Sequence, residues 1–214
     1  MDVDLLGLLV PLLRGAITTI QVAAGALVVA ILIGLSLAVA RVLYRSRVLN
    51  AAIATYIEIF RNVPSLTHLF IIYFGLASVG VRLSSLTAAI LGLGLIGGAI
   101  LTEIFRAGLE APHLGQREAA LAVGMSPFMM FRHILLPQAS RVALPPLGNY
   151  AIGLVKDTSL VAAIAAPEIM FNARELVNIT FQTTIVYGLA AAIYLCITLS
   201  LGHLIRRLER RAAY

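Results

Sequence analysis

Residues 16–40 read AITTIQVAAGALVVAILIGLSLAVA, twenty-five positions without one ionisable side chain. A run of that length exceeds the ~20 apolar residues that cross a bilayer as a helix. In lipid every backbone polar group must be satisfied internally, so a helix is the form such a run takes. Four further apolar stretches follow, at about residues 48–76, 83–106, 142–166 and 184–205. The second is interrupted by Glu58, Arg61 and Pro64, and the fourth by Lys156 and Asp157. Strand-like alternation is absent, which argues against a barrel. Of the 214 residues, 60% are hydrophobic and only 12% charged, whereas soluble domains carry about 25% charged residues. The expectation is an all-α integral membrane protein with five transmembrane helices. No flexible linker, repeat or low-complexity stretch divides residues 1–214, so one membrane domain is expected.

Charge placement sets the orientation. With the N-terminus outside, the cytoplasmic arginines are 41, 45, 47, 106, 117, 132, 141, 206, 207, 210 and 211, against Arg14, Arg82 and Arg174 outside. The positive-inside rule favours this arrangement strongly, and an odd number of spans puts the C-terminus in the cytoplasm. Segment 107–141 then forms a long cytoplasmic loop. The start, MDVDLL, carries Asp2 and Asp4 and no basic stretch, a poor signal peptide, so the first run is expected to stay as a span. The net charge of +6 would suggest nucleic acid in a soluble protein, but here it follows topology, and no nucleic acid partner is expected. Cys196 is the only cysteine, which rules out an intrachain disulfide. His68, His113, His133 and His203 are dispersed, without metal-ligand spacing. There is no GxxxxGK[ST] phosphate loop and no visible nucleophile–base constellation, so neither nucleotide hydrolysis nor other catalysis is expected of this chain.

Two softer patterns complete the layout. Gly94 and Gly98 form a GxxxG, flanked by Gly92 and Gly97, which suits close helix packing within one bundle or between subunits. Segment 167–183 opens with Pro167 and Glu168 and reads as a short external helix at the membrane surface.

The cytoplasmic loop carries clear punctuation. Gln116 to Val123 can form a helix with Glu118 in its first turn, where a carboxylate suits the helix dipole. Gly124 fits the position after the helix, where a positive φ is cheap only for glycine. Ser126 can cap a second helix with Pro127 at its first position, and Pro137 should end or kink that pattern. Physically, such a pair of short helices can either rest on the membrane surface or serve as a docking knob for a cytoplasmic partner.

The spacing Glu118-Ala119-Ala120, three residues, Gly124, nine residues, Ile134, one residue, Leu136-Pro137 resembles the EAA loop of ABC importer permeases. TEIFRAGLEAPHLGQREAALAVGMS, LPQASRVALPPLGNYAIGLVKDTSL and FRNVP are similar to the polar amino acid subgroup, the histidine, glutamine, arginine and glutamate importers. The resemblance implies a type I importer fold in a bacterial plasma (inner) membrane. It also implies a coupling loop, with Glu118, Ala119, Ala120 and Gly124, that docks in a groove of an ATP-binding subunit. The expected partners are a second permease subunit (the same chain or a paralogue), two ABC ATPases, an exported solute-binding protein, a polar amino acid and membrane lipid. ATP and Mg would be held by the ATPase, with no cofactor in this chain.

Glu58, Arg61, Lys156 and Asp157 lie at membrane depth, where ionisable groups usually face a cavity or each other. Lys156 and Asp157 are adjacent and point about 100° apart on a helix, so each needs another partner: protein, water or substrate. Pro64, Pro145 and Pro146 can break helices, and broken helices expose backbone dipoles that suit a zwitterion. Asn62, Thr158 and Ser159 add neutral hydrogen-bonding groups. The candidate substrate path is therefore Glu58, Arg61, Asn62, Pro64, Lys156, Asp157, Thr158 and Ser159. Where the subgroup often reads FRGTPLLVQL, this chain reads FRNVPSLTHL, more polar at Asn62, Ser65, Thr67 and His68, and FRN is similar to acidic or broad-range amino acid permeases. Two rival readings are a secondary transporter driven by an ion gradient and a non-transporting membrane scaffold.

Overall fold

The computed structural model describes residues 5–44, 46–111 and 114–212. Asp2, Asp4, Arg45 and His113 lie outside the described residues. The elements are α1 (Leu5–Leu43), α2 (Arg47–Asn62), α3 (Ser65–Phe70), a π turn (Ile71–Gly75) and α4 (Leu76–Ser78). Then follow α5 (Ser85–Glu110), α6 (Leu114–Ala122), α7 (Pro127–Met130), a second π turn (Phe131–Leu135) and α8 (Leu136–Asp157). A 3₁₀ turn (Thr158–Ile164), α9 (Ile169–Thr180) and α10 (Thr183–Ala212) complete the chain. Among the described residues three helices, α1, α5 and α10, are long and apolar enough to cross a bilayer.

α1 starts eleven residues before the expected run, because Pro11 and Arg14 limit apolarity without stopping the helix. Its large exposed side chains, Leu13, Ile17, Ile20, Val28, Leu32 and Leu35, recur at helical spacing and form one lipid-ready stripe. The opposite face carries small residues and packs along α5. A Cβ on Gly34 would lie 2.7 Å from Leu101 Cβ, one on Gly94 2.6 Å from Val29 Cγ1, and one on Gly98 2.7 Å from Ile33 Cγ2. The GxxxG glycines thus serve packing between α1 and α5 of the same chain.

The expected second span is not one helix. Ser46 caps α2 by accepting from Leu49 N–H at 3.4 Å. Val63, driven extended by the following proline, ends it with φ −89° and ψ 136°. α3 restarts after Pro64, giving the expected break. The expected fourth span differs in the other direction. α8 passes through Pro145 and Pro146 without a break. Both prolines are exposed. Pro137 likewise does not end its helix: the π turn before it lets Leu136 N–H reach Phe131 O, and the helix runs on. The regular helix stops instead at Asp157, and the 3₁₀ turn closes on Ala165 in the left-handed region, φ 57°.

α9 forms where the short helix at 167–183 was expected. Its N-cap is Glu168, whose carboxylate accepts from Phe171 N–H at 2.7 Å. α9 lies on α1 at Gly15, where a Cβ would sit 2.8 Å from Glu168 C and Ile169 N. Leu8, Leu12 and Ala16 of α1 are buried there with Ile169, Ala173, Val186 and Ala190 of α9 and α10. A second apolar core joins α1, α3, α5 and the 3₁₀ turn around Val22, Leu69, Leu93, Val161 and Ile164.

Candidate functional site

The coupling segment begins with α6. Glu118 and Ala119 are exposed, and Ala120 is buried. α6 ends in a Schellman arrangement: Met125 N–H donates to Ala120 O at 3.0 Å and Gly124 N–H to Leu121 O at 3.0 Å. Gly124 holds φ +76°, as its position requires. Ser126 then caps α7, accepting from Met129 N–H at 3.3 Å. The helix–glycine–helix corner read from the sequence is therefore present. Gln138 Nε2 donates to Gln116 Oε1 at 2.6 Å, tying α6 back to α8. Between them lies a cleft of about 430 Å³ lined by Ala119, Ala120, Val123, Met125, His133 and Ile134. Exposed apolar side chains crowd the same corner: Leu121, Val123, Phe128 and Met129. An exposed apolar patch of this kind suits contact with either a membrane surface or a protein partner.

The candidate path residues divide between two clefts. The break between α2 and α3 opens one of about 560 Å³, lined by Phe60, Arg61, Asn62, Pro64, Ser65 and Glu103, with Ile96, Ile100 and Ile104 behind. The other, about 620 Å³, lies where α8 ends against α9 and α10, lined by Lys156, Ser159, Met170, Tyr187, Tyr194 and Thr198. Glu58 is exposed and is tied to its own helix, since Asn62 Nδ2 donates to its Oε2 at 2.7 Å. Arg61, Lys156 and Asp157 are exposed and form no ion pair among the described residues. Thr158 is fully buried, its hydroxyl donated to Val155 O at 2.7 Å, so it shapes the turn rather than lining either cleft.

Two acidic residues at the clefts were not among the candidate site residues. Glu103 lines the first cleft and accepts from Arg41 Nη1 and Arg106 Nη2, each at 2.7 Å. Its spacing to Arg106 was the readable half of that network. Glu168 is fully buried beside the second cleft and accepts from Tyr194 O–H at 2.6 Å. Its place just before an apolar helix hinted at a cap, but glutamate is an uncommon one.

Known proteins place this architecture. The glutamine transport system permease protein GlnP of Escherichia coli (strain K12) is 36% identical over 202 residues, covering 94% of this chain and 92% of that protein. The nopaline transport system permease protein NocM of Agrobacterium fabrum (strain C58 / ATCC 33970) is 35% identical over 220 residues, covering 98% and 91%. A chain in the crystal structure of an amino acid ABC transporter with histidines superposes with TM-score 0.89 at 32% identity, covering 99% of this chain and 100% of that one. The helical architecture is accordingly that of a type I ABC permease. The sequence profile for the binding-protein-dependent transport system inner membrane component matches residues 10–214, and the chain belongs to that family.

Proposed function

We propose that this chain is the permease subunit of an ATP-driven importer of polar amino acids. The observation that carries the reading is the Schellman corner at Gly124, which presents Glu118 and Ala119 on a short exposed helix. Small side chains allow close docking, a rigid corner transmits displacement, and Glu118 offers a charge to the partner's groove. The permease relatives of glutamine and nopaline systems support an amino acid or related zwitterion as cargo.

In this reading residues 1–214 form one multi-pass domain of the bacterial inner membrane. The five spans are α1, α2–α4 taken together, α5, α8 with its 3₁₀ turn, and α10. The N-terminus is outside and the C-terminus in the cytoplasm, following the arginine distribution. Two permease subunits assemble with two ATPases, which bind ATP and Mg and carry out hydrolysis, and an exported binding protein delivers the amino acid. Glu118, Ala119, Ala120 and Gly124 meet the ATPase. Arg61, Asn62 and Pro64 at one cleft, and Lys156 and Ser159 at the other with exposed Asp157 beside them, face the cargo at different stages of passage, with Glu58 and Thr158 supporting the walls.

The test is copurification. Glu118→Lys reverses the charge offered to the ATPase, and Gly124→Val penalises φ +76°. Both variants should insert at wild-type levels, because neither touches an apolar helix, and both should lose the ATPase on affinity purification. Normal recovery of the ATPase with both would refute the assignment of this corner.

A further inference from the structure

Beyond the coupling corner, the cytoplasmic ends of α1 and α5 carry an ion network that the docking reading leaves without a role. Arg41 stands in the last turn of α1; Glu103, Arg106 and Glu110 stand on one stretch of α5. Glu103 uses both carboxylate oxygens, Oε1 for Arg41 Nη1 and Oε2 for Arg106 Nη2, at 2.7 Å each. Arg106 Nη1 then reaches Glu110 Oε2 at 2.6 Å. The Arg41, Glu103 and Arg106 side chains are 28–30% exposed, partly withdrawn from solvent, whereas Glu110 is 53% exposed. Partial withdrawal weakens screening, and a carboxylate shared by two guanidiniums makes short, charge-assisted bonds.

Position gives the network its meaning. The glycine seam already holds α1 against α5 as far as Gly34 on Leu101 and Thr102. The network lies just beyond it, where both helices end, so association of the pair does not depend on it. On one side Glu103 borders the cleft at the α2–α3 break, beside Arg61 and Pro64. On the other, Glu110 is the last residue of α5, four positions before α6 begins. Without the Glu103 carboxylate nothing in this network would join Arg41 to Arg106, which would keep only its bond to Glu110 within α5.

We infer that Glu103 is a positioning residue for coupling: its two-armed bridge to Arg41 and Arg106 fastens the ends of α1 and α5 into one lever between the coupling corner and the cleft at the α2–α3 break. The inference rests on the proposed ATP-driven function. A free α5 end would absorb the displacement delivered through α6, so ATP would be hydrolysed without cargo movement.

The experiment is the ratio of ATP hydrolysed to amino acid taken up by the complete importer in liposomes, with radiolabelled glutamine, arginine and glutamate as probes. Glu103→Gln should raise that ratio several-fold while ATPase recovery and thermal stability stay near wild type. Arg41→Gln should do the same by removing the other end of the bridge, and the double variant should be no worse than either single one. Glu110→Gln should keep the wild-type ratio, because its bond lies within α5 and crosses to no other helix. A wild-type ratio in both Glu103→Gln and Arg41→Gln would overturn the inference, as would an equal effect of Glu110→Gln. A loss confined to protein yield, with the ratio unchanged, would reduce the bridge to a structural tie and overturn it as well. If the wild-type importer takes up none of the three amino acids with ATP, the proposed function fails and the inference falls with it.

Discussion

Glu168 is the fully buried acid on which the docking of α9 turns. One oxygen accepts from Phe171 N–H at 2.7 Å and caps the helix; the other accepts from Tyr194 O–H at 2.6 Å and ties α9 to α10. Glu168→Ala removes the cap, which typically costs about 1 kcal/mol. It also takes from the part-buried Tyr194 hydroxyl its Glu168 partner, at about 1–3 kcal/mol. The expected loss is therefore about 2–4 kcal/mol. At about 2–4 °C per kcal/mol for a chain of this size, the melting temperature should fall by roughly 4–16 °C. Tyr194→Phe deletes the shared bond together with the hydroxyl's interactions with Thr158 and Thr19, and a loss of about 1–3 kcal/mol is expected. Because both variants lose the same interaction, the double variant should be less destabilised than the sum of the two, by about 1–3 kcal/mol. Thermal unfolding of the purified chain in detergent, followed by circular dichroism at a helical wavelength, measures all three. Strict additivity in this cycle, or a melting temperature for Glu168→Ala within a degree of wild type, would refute the account of how α9 is held.

Three other outcomes follow from the same geometry. Gly34→Leu should abolish correct packing and sharply lower the yield of folded protein, since even a Cβ there would lie 2.7 Å from Leu101 Cβ, whereas Gly153→Ala, with open space around it, should express normally. Asp157→Asn should leave folding intact, because no ion pair among the described residues depends on it, but should change which amino acids stimulate ATP hydrolysis by the reconstituted complex; unchanged selectivity would remove Asp157 from the path. In a cysteine-free background, Ser46→Cys should react with impermeant thiol reagents only from the cytoplasmic side and Ser78→Cys only from outside, and the reverse pattern would overturn the orientation.

Local rules made some of this legible from sequence and left the rest hidden. The break at Pro64 follows from steric effects on the residue before proline, and the Gly124 corner from the need for positive φ; both act within a few residues and both are present. Pro145 and Pro146 misled because a proline inside a helix does not always break it: α8 runs through both. The π turn at Phe131–Leu135 was equally invisible, yet it lets the helix continue past Pro137. Counting apolar runs marked α1, α5 and α10 well, but α2–α4 is interrupted and α8 carries Arg141, Lys156 and Asp157. The roles of Glu103 and Glu168 stayed hidden because the partners that tie them to other helices lie 62 and 26 positions away, in Arg41 and Tyr194. Only the packed helices bring them together. The same packing separates Arg61 from Lys156, which the sequence had grouped as one set of charges at membrane depth.

The most direct test is the energy source of uptake. Liposomes containing the permease with its ATPase and binding protein should accumulate a radiolabelled polar amino acid only when ATP is supplied on the ATPase side, and dissipating proton and sodium gradients should leave the rate unchanged. Glu118→Lys should abolish that accumulation. Accumulation by the chain alone, without an ATPase and driven by an imposed ion gradient, would contradict the account.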